Sequence, residues 1–133
     1  MAVIEQGRTG RIFYIRIHPN EDLVQSLEKT FIESGLSRAI VRSSVGSLAH
    51  CSLQCGGAQH TLELEGPALE ILNMNGEIRC DDGGYPVAHV TGIVMDMQGK
   101  IHAGRFTSGR NPACMTVEAV IEEWIVEQTL HHN

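Results

Sequence analysis

The sequence predicts an α+β fold: one domain over residues 1–133, with its core over about residues 11–127, in which a largely antiparallel sheet carries one main helix. Three observations predict it. Short runs rich in β-branched and aromatic residues recur along the chain, separated by turn residues. A single stretch, residues 18–35, has the apolar spacing and the end signals of a helix. No internal repeat, linker or low-complexity tract divides the chain.

Taken in order, residues 1–10 read as a lead-in with turn signals at Gly7 and Gly10. Arg11–Ile17 (RIFYIRI) is a strand. HPNEDLVQSLEKTFIESG follows as the helix: Asn20 is the expected cap, Glu21 and Asp22 fall in its positive first turn, and Gly35 ends it. Leu23, Leu27, Phe31 and Ile32 are its expected buried stripe. Further strands are expected at Arg38–Val45, Leu48–Cys55, His60–Glu65, Leu69–Met74, Val87–Asp96, Lys100–Phe106 and Met115–Trp124. Gly46-Ser47 reads as a two-residue hairpin turn, with an anion cradle of backbone amides as the alternative. DDGGYP is a surface loop. Met97-Gln98-Gly99 is a tight turn joining two arms. Residues 115–127 can be read two ways, since MTVEAV alternates like a strand and VIEEWIVEQ could start a helix. A strand followed by an irregular or helical tail is the expectation.

Composition narrows the function. Hydrophobic residues make up 42% and charged residues 20% of the 133, an ordinary globular balance. The net charge is -6, and the only lysines are Lys29 and Lys100. Nonspecific nucleic-acid binding needs clustered cations to neutralise several phosphates, so direct DNA binding is not expected of the isolated chain. Cys51, Cys55, Cys80 and Cys114 show no C-x-x-C spacing. With no signal peptide and no apolar run near 18 residues, they read as free thiols of a cytoplasmic protein without a membrane span, packed as small hydrophobes.

The chemistry gathers in AHVTGIVMDMQGKIHAGRFTSGRNPA, residues 88–113. Alternation puts Val87, His89, Thr91, Ile93 and Met95 on one face of the first arm. On the second arm, Ile101, Ala103 and Arg105 share a face while His102, Gly104 and Phe106 point away. Arg42, Ser44, His50, His89, Thr91, Arg105, Arg110 and Asn111 form the polar set. Arginine forks suit carboxylates and phosphates, and histidine titrates near neutrality. One reading follows: Arg42, Thr91, Arg105, Arg110 and Asn111 hold a small anion such as a carboxylate, with His89 or His50 as acid–base catalysts. The other pairs Arg42 and Arg105 with carboxylates such as Glu65, Glu70, Asp96 or Glu118. The run 69–72 (LEIL) with Met74 fits a subunit interface or ordinary core. His18 and His60 are expected at the surface, and His131 and His132 at a frayed terminus. No serine triad, P-loop or dinucleotide fingerprint is present.

Five segments in order carry a resemblance over about residues 12–124: PNEDLVQSLEKTFIESGL, AIVRSSVGSLAHCSL, EGPALEILNMNGEI, HVTGIVMDMQGKIHAGRF and MTVEAVIEEW. Together they resemble the plants-and-prokaryotes-conserved (PPC) domain family, single-domain prokaryotic type. The resemblance implies a compact homotrimer around a strongly bent antiparallel sheet. In plants the domain is fused to a DNA-binding hook and acts in assembly, and prokaryotic members are often labelled "putative DNA-binding protein". It also implies a three-histidine zinc site similar to that of acetolactate decarboxylase, a related fold. On this chain those positions are His89, Thr91 and Arg105, so His89 is the one implied metal ligand retained. The functions implied are a trimer with intersubunit clefts for a small anionic metabolite, a regulatory module associating with a DNA-bound partner, or a metal-dependent lyase or hydrolase.

Overall fold

The computed structural model describes residues 2–57 and 60–132, and for His132 the backbone alone. The elements are β1 (Ala2–Ile17), α1 (Leu23–Glu33), β2 (Arg38–Gln54), β3 (Thr61–Cys80), β4 (Pro86–Met95), β5 (Ile101–Phe106) and β6 (Ala113–His132). They form one domain, an antiparallel six-stranded sheet in the order β1-β6-β2-β3-β4-β5 with one helix. The long β2 also pairs with β5, Leu53 opposite Phe106 and Gln54 opposite Arg105. That second ladder curls β2, β3, β4 and β5 into a closed end, while β6 and β1 extend the other side.

The helix forms where the apolar period places it, with its cap two residues later than expected. Asp22, not Asn20, is the N-cap, and its side chain accepts the Gln25 amide at 2.9 Å. Asn20 instead adopts φ +69° in the turn before it. Glu21 and Asp22 both precede the first turn, and Gly35 at φ +68° ends the helix as expected. Leu23, Val24, Leu27 and Phe31 are buried against the sheet, whereas Ile32 is 48% exposed. The helix turns its stripe one position away from Ile32 and toward Val24.

The strands are fewer and longer than expected. The lead-in is the first half of β1, paired from Ala2 with His132 onward. Register shifts at Gln6/Gly7 and Thr9/Ile12 show that Gly7 and Gly10 mark bulges inside a strand, not turns. No hairpin forms at Gly46-Ser47: β2 runs straight through, with Gly46 opposite Ile71 on one side and Val117 on the other. Its φ of +140° and the 2.3 Å that would separate an added Cβ from the Thr116 carbonyl oxygen explain the glycine. The anion-cradle alternative falls with the turn, because these amides belong to a ladder. Likewise β3 continues through Gly66-Pro67, joining two expected strands. β6 is strand to its end, and no helical tail exists. His131 therefore lies in the ladder opposite Val3, while the His132 side chain falls outside the described residues.

The core is one cluster that includes Leu27 and Phe31 of α1 and the sheet residues Leu48, Leu69, Met74, Ile78, Val90 and Ile121, all essentially inaccessible. Burying each such side chain contributes about 1.5–3 kcal/mol. Leu69, Ile71 and Met74 are among them, so LEIL is chiefly core, with Leu72 pointing out at 48% exposure. All four cysteines are free, but only Cys51 is buried, and Cys80 is exposed. Among the described residues, no helix is long and apolar enough to cross a membrane.

Candidate functional site

The hairpin of β4 and β5 turns where expected: the Asp96 amide donates to the Lys100 carbonyl at 2.9 Å and the Gly99 amide to the Asp96 carbonyl at 3.0 Å. Asp96 Oδ1 takes the Gln98 and Lys100 amides and Oδ2 meets His102 Nε2 at 2.9 Å, which stiffens the turn. The ladder then opposes Met95 to Ile101, Ile93 to Ala103 and Thr91 to Arg105. Opposed residues share a face. Ala88, Val90 and Val94 point into the core, so His89, Thr91, Ile93 and Arg105 stand on the outer face, all exposed.

Neighbouring ladders lengthen this row. Asn75 opposes Thr91 and Gln54 opposes Arg105, so Asn75, Thr91, Arg105 and Gln54 cross four strands in line, about 5 Å from strand to strand. His89 stands two residues along β4, about 7 Å from Thr91, opposite Glu77. The Glu77 carboxyl is held below its ordinary value chiefly by the Arg79 hydrogen bond, against burial and with help from Arg38 and His89.

Beyond the Thr91–Arg105 pair, β4 and β5 part, and α1 lies behind the gap. A cavity of about 190 Å³ opens there. Val24, Val87 and Phe106 give it apolar walls; Glu28, Gln54 and Arg105 are polar groups around it. Arg11, Arg16, Arg38, Arg42, Arg79 and Arg110 each meet a carboxylate. Arg105 meets none among the described residues, so its guanidinium is available. Glu28 was not singled out in the sequence. Its signal was its place four residues after buried Val24, which turns a charged side chain toward the sheet.

The other expected site residues lie apart. His50 is held between two carboxylates, Nε2 3.0 Å from Glu63 and Nδ1 3.3 Å from Glu65, and Arg110 Nη2 lies 2.6 Å from the other Glu63 oxygen. Burial pushes the Glu63 carboxyl up, but His50 and Arg110 outweigh it and hold it below its ordinary value. Both ring nitrogens of His50 are thus engaged, which fits a strut better than a free acid–base. Asn111 is fully buried: Oδ1 accepts the Ser52 amide at 2.8 Å, and Nδ2 donates to the carbonyls of Thr107 at 2.7 Å and Ser52 at 3.3 Å. That side chain fastens a loop and has nothing left for a ligand. Arg42 lies away from the hairpin with Nε 3.6 Å from Glu122, a partner not on the expected list. Ser44 Oγ is buried without a hydrogen bond. Burial pushes the Cys51 thiol up to about 12, leaving it inert.

The metal that the resemblance implies does not fit these residues. Two of the three positions are a neutral hydroxyl, Thr91, and a permanent cation, Arg105, which would repel a divalent ion. Among the described residues, no three His, Cys, Asp or Glu side chains gather to hold one.

The profile of the Plants and Prokaryotes Conserved (PCC) domain matches residues 4–125. The "Bifunctional protein GlmU" of Synechococcus sp. (strain JA-3-3Ab) is 31% identical over 116 residues, which are 85% of this chain and 17% of that protein. The chain therefore spans about a sixth of the length of that relative. A Pyrococcus horikoshii plant- and prokaryote-conserved protein superposes with TM-score 0.78 at 18% identity, covering 92% of this chain and 85% of its own. A Bacteroides thetaiotaomicron protein described as a "putative dna binding protein" gives 0.73 at 15% identity, covering 92% and 86%. At these identities, the superpositions speak for the fold.

Proposed function

The chain belongs to the Plants and Prokaryotes Conserved (PCC) domain family, and on that premise we propose that it is a homotrimeric binding protein for a small anionic metabolite. The ligand sits at the parting of β4 and β5, with Arg105 as its anchor and Thr91 and His89 beside it. One observation carries this reading: Arg105 stands at a cavity with no carboxylate, among the described residues, to neutralise it. A guanidinium fork in that state favours a bidentate carboxylate or phosphate. The trimer is supported by Ile12, Tyr14, Val45 and Met115, 63–72% exposed on β1, β2 and β6, an apolar surface suited to a second copy of the chain. The proposal concerns binding alone.

The test is thermal denaturation with a panel of small carboxylates and phosphates. A ligand at one hundred times its Kd stabilises by about 2.7 kcal/mol, and Arg105→Ala should abolish the shift while leaving the unliganded midpoint near wild type. A panel without any shift overturns the reading.

A second reading is favoured by the cyanobacterial match, in which a unit like this one makes up a small part of a longer protein. On this second reading the chain is an assembly module that associates with another protein. Direct DNA binding is opposed by the net charge of -6, and retardation of duplex DNA at low salt by micromolar protein would reverse that judgement.

A further inference from the structure

Glu28 changes what the cavity can recognise. Its Oε2 accepts the Ala88 amide at 2.9 Å, which anchors the carboxylate beside the start of β4, and its Oε1 has no partner among the described residues. Arg105 borders the same cavity from β5. The two are opposite in charge and share one small space, yet no ion pair joins them. Glu28 is half-buried while Arg105 is exposed, and a carboxylate taken partly out of water gains when a cation neutralises it. Elsewhere on this sheet, opposite charges close onto each other, as Arg38 does on Glu5 at 2.7 Å and Arg110 on Glu63 at 2.6 Å. Here one stands on the helix and the other on the hairpin, and Val24, Val87 and Phe106 line the same cavity.

We propose that the cavity takes a zwitterion, an α-amino acid with a small apolar side chain, its carboxylate on Arg105 and its ammonium on Glu28. The inference rests on the anion reading and narrows it. A ligand with a carboxylate alone leaves Glu28 facing its own negative charge across the cavity, whereas an ammonium group removes that cost. The volume of about 190 Å³ corresponds to about six waters at roughly 30 Å³ each, room for alanine or valine. The apolar walls suit such side chains and offer no partner to a second charge.

Calorimetric titration of the full chain with L-alanine and L-valine, each against its deaminated acid (propionate, 3-methylbutanoate) and its decarboxylated amine (ethylamine, isobutylamine), tests this. The amino acid should bind at least about tenfold tighter than either counterpart, the worth of one charge-assisted hydrogen bond. Glu28→Gln keeps an oxygen for the Ala88 amide, so the fold is retained; it should weaken the amino acid about tenfold and leave the acid unchanged or tighter. Arg105→Gln should remove both. If the deaminated acids bind as tightly as the amino acids in the wild-type protein, the zwitterion inference fails while the anion reading stands. If neither binds, and the wider anion panel is silent as well, both fail.

Discussion

Asp22 and Asn111 are tied together at the start of the helix: Asp22 Oδ1 accepts the Asn111 amide at 2.7 Å, and the Asn111 carbonyl accepts the Leu23 amide at 3.0 Å. The other Asp22 oxygen takes the amides of Gln25 and Gly109. One carboxylate thus caps α1 and fastens the loop that leaves β5, and through it the helix is fixed relative to the hairpin. Glu28 stands on that helix and Arg105 on that hairpin.

Asn111→Ala should be strongly destabilising. It strips the buried Ser52 amide of its side-chain acceptor and removes a donor from the Thr107 carbonyl, at a cost of about 3 kcal/mol. Urea unfolding measures it, and a loss under about 1 kcal/mol would contradict the role given to this side chain.

Gly76→Ala should cost at least about 2 kcal/mol. Gly76 lies opposite Val90 at φ +156°, and an added Cβ would stand 1.9 Å from the His89 carbonyl oxygen. The two backbones must separate, so amide exchange along this part of β4 should quicken in the variant. An unchanged exchange pattern would show that the ladder tolerates the methyl group.

Acid should unfold the protein through its paired carboxylates. Asp96 is held below its ordinary 3.8 chiefly by His102, with the Lys100 and Gln98 amides adding and burial opposing. Glu118 and Glu123 lie below 4.5 through Tyr14 and Arg11 respectively. A depressed folded value means stability that is present above the unfolded value and lost as pH falls through the folded one. The fall therefore belongs below about pH 4.5, and below 3.8 for Asp96. Thermal midpoints between pH 6 and pH 2.5 should drop less for Asp96→Asn than for wild type, and parallel curves would refute the assignment.

Met115→Glu should break the proposed trimer. Met115 is 72% exposed beside Val45, at a groove of about 410 Å³, and a carboxylate there would be buried unpaired in an apolar contact. Sedimentation should shift from three chains to the single 14.6 kDa chain. A monomeric wild type would defeat the trimer outright.

The sequence was legible where one period dominated. The helix followed from Leu23, Leu27 and Phe31, and the outer face holding His89, Thr91 and Arg105 followed from strict alternation about a turn with Gly99. It misled where glycine served a purpose other than turning: Gly46 lets a neighbouring backbone approach within a strand that pairs on both sides, and Gly7 and Gly10 sit at bulges. The tail was misread because VIEEWIVEQ could start a helix on its own, while its ladder partners lie far off in the chain, in β1 and β2. Distance also hid the cavity, since Glu28 and Arg105 come to border one space only once helix and hairpin are docked. Asn111 looked like a loop residue on offer because nothing local reveals that Ser52 lies behind it.

The ladder between the first strand and the last has one more effect. With Ala2 opposite His132, the backbone enters and leaves the fold at neighbouring points, so the unit can be spliced into a larger polypeptide without stretching its host. The same adjacency favours circular permutation: a short bridge between those residues, with new ends cut at Gln98, leaves every pairing in place.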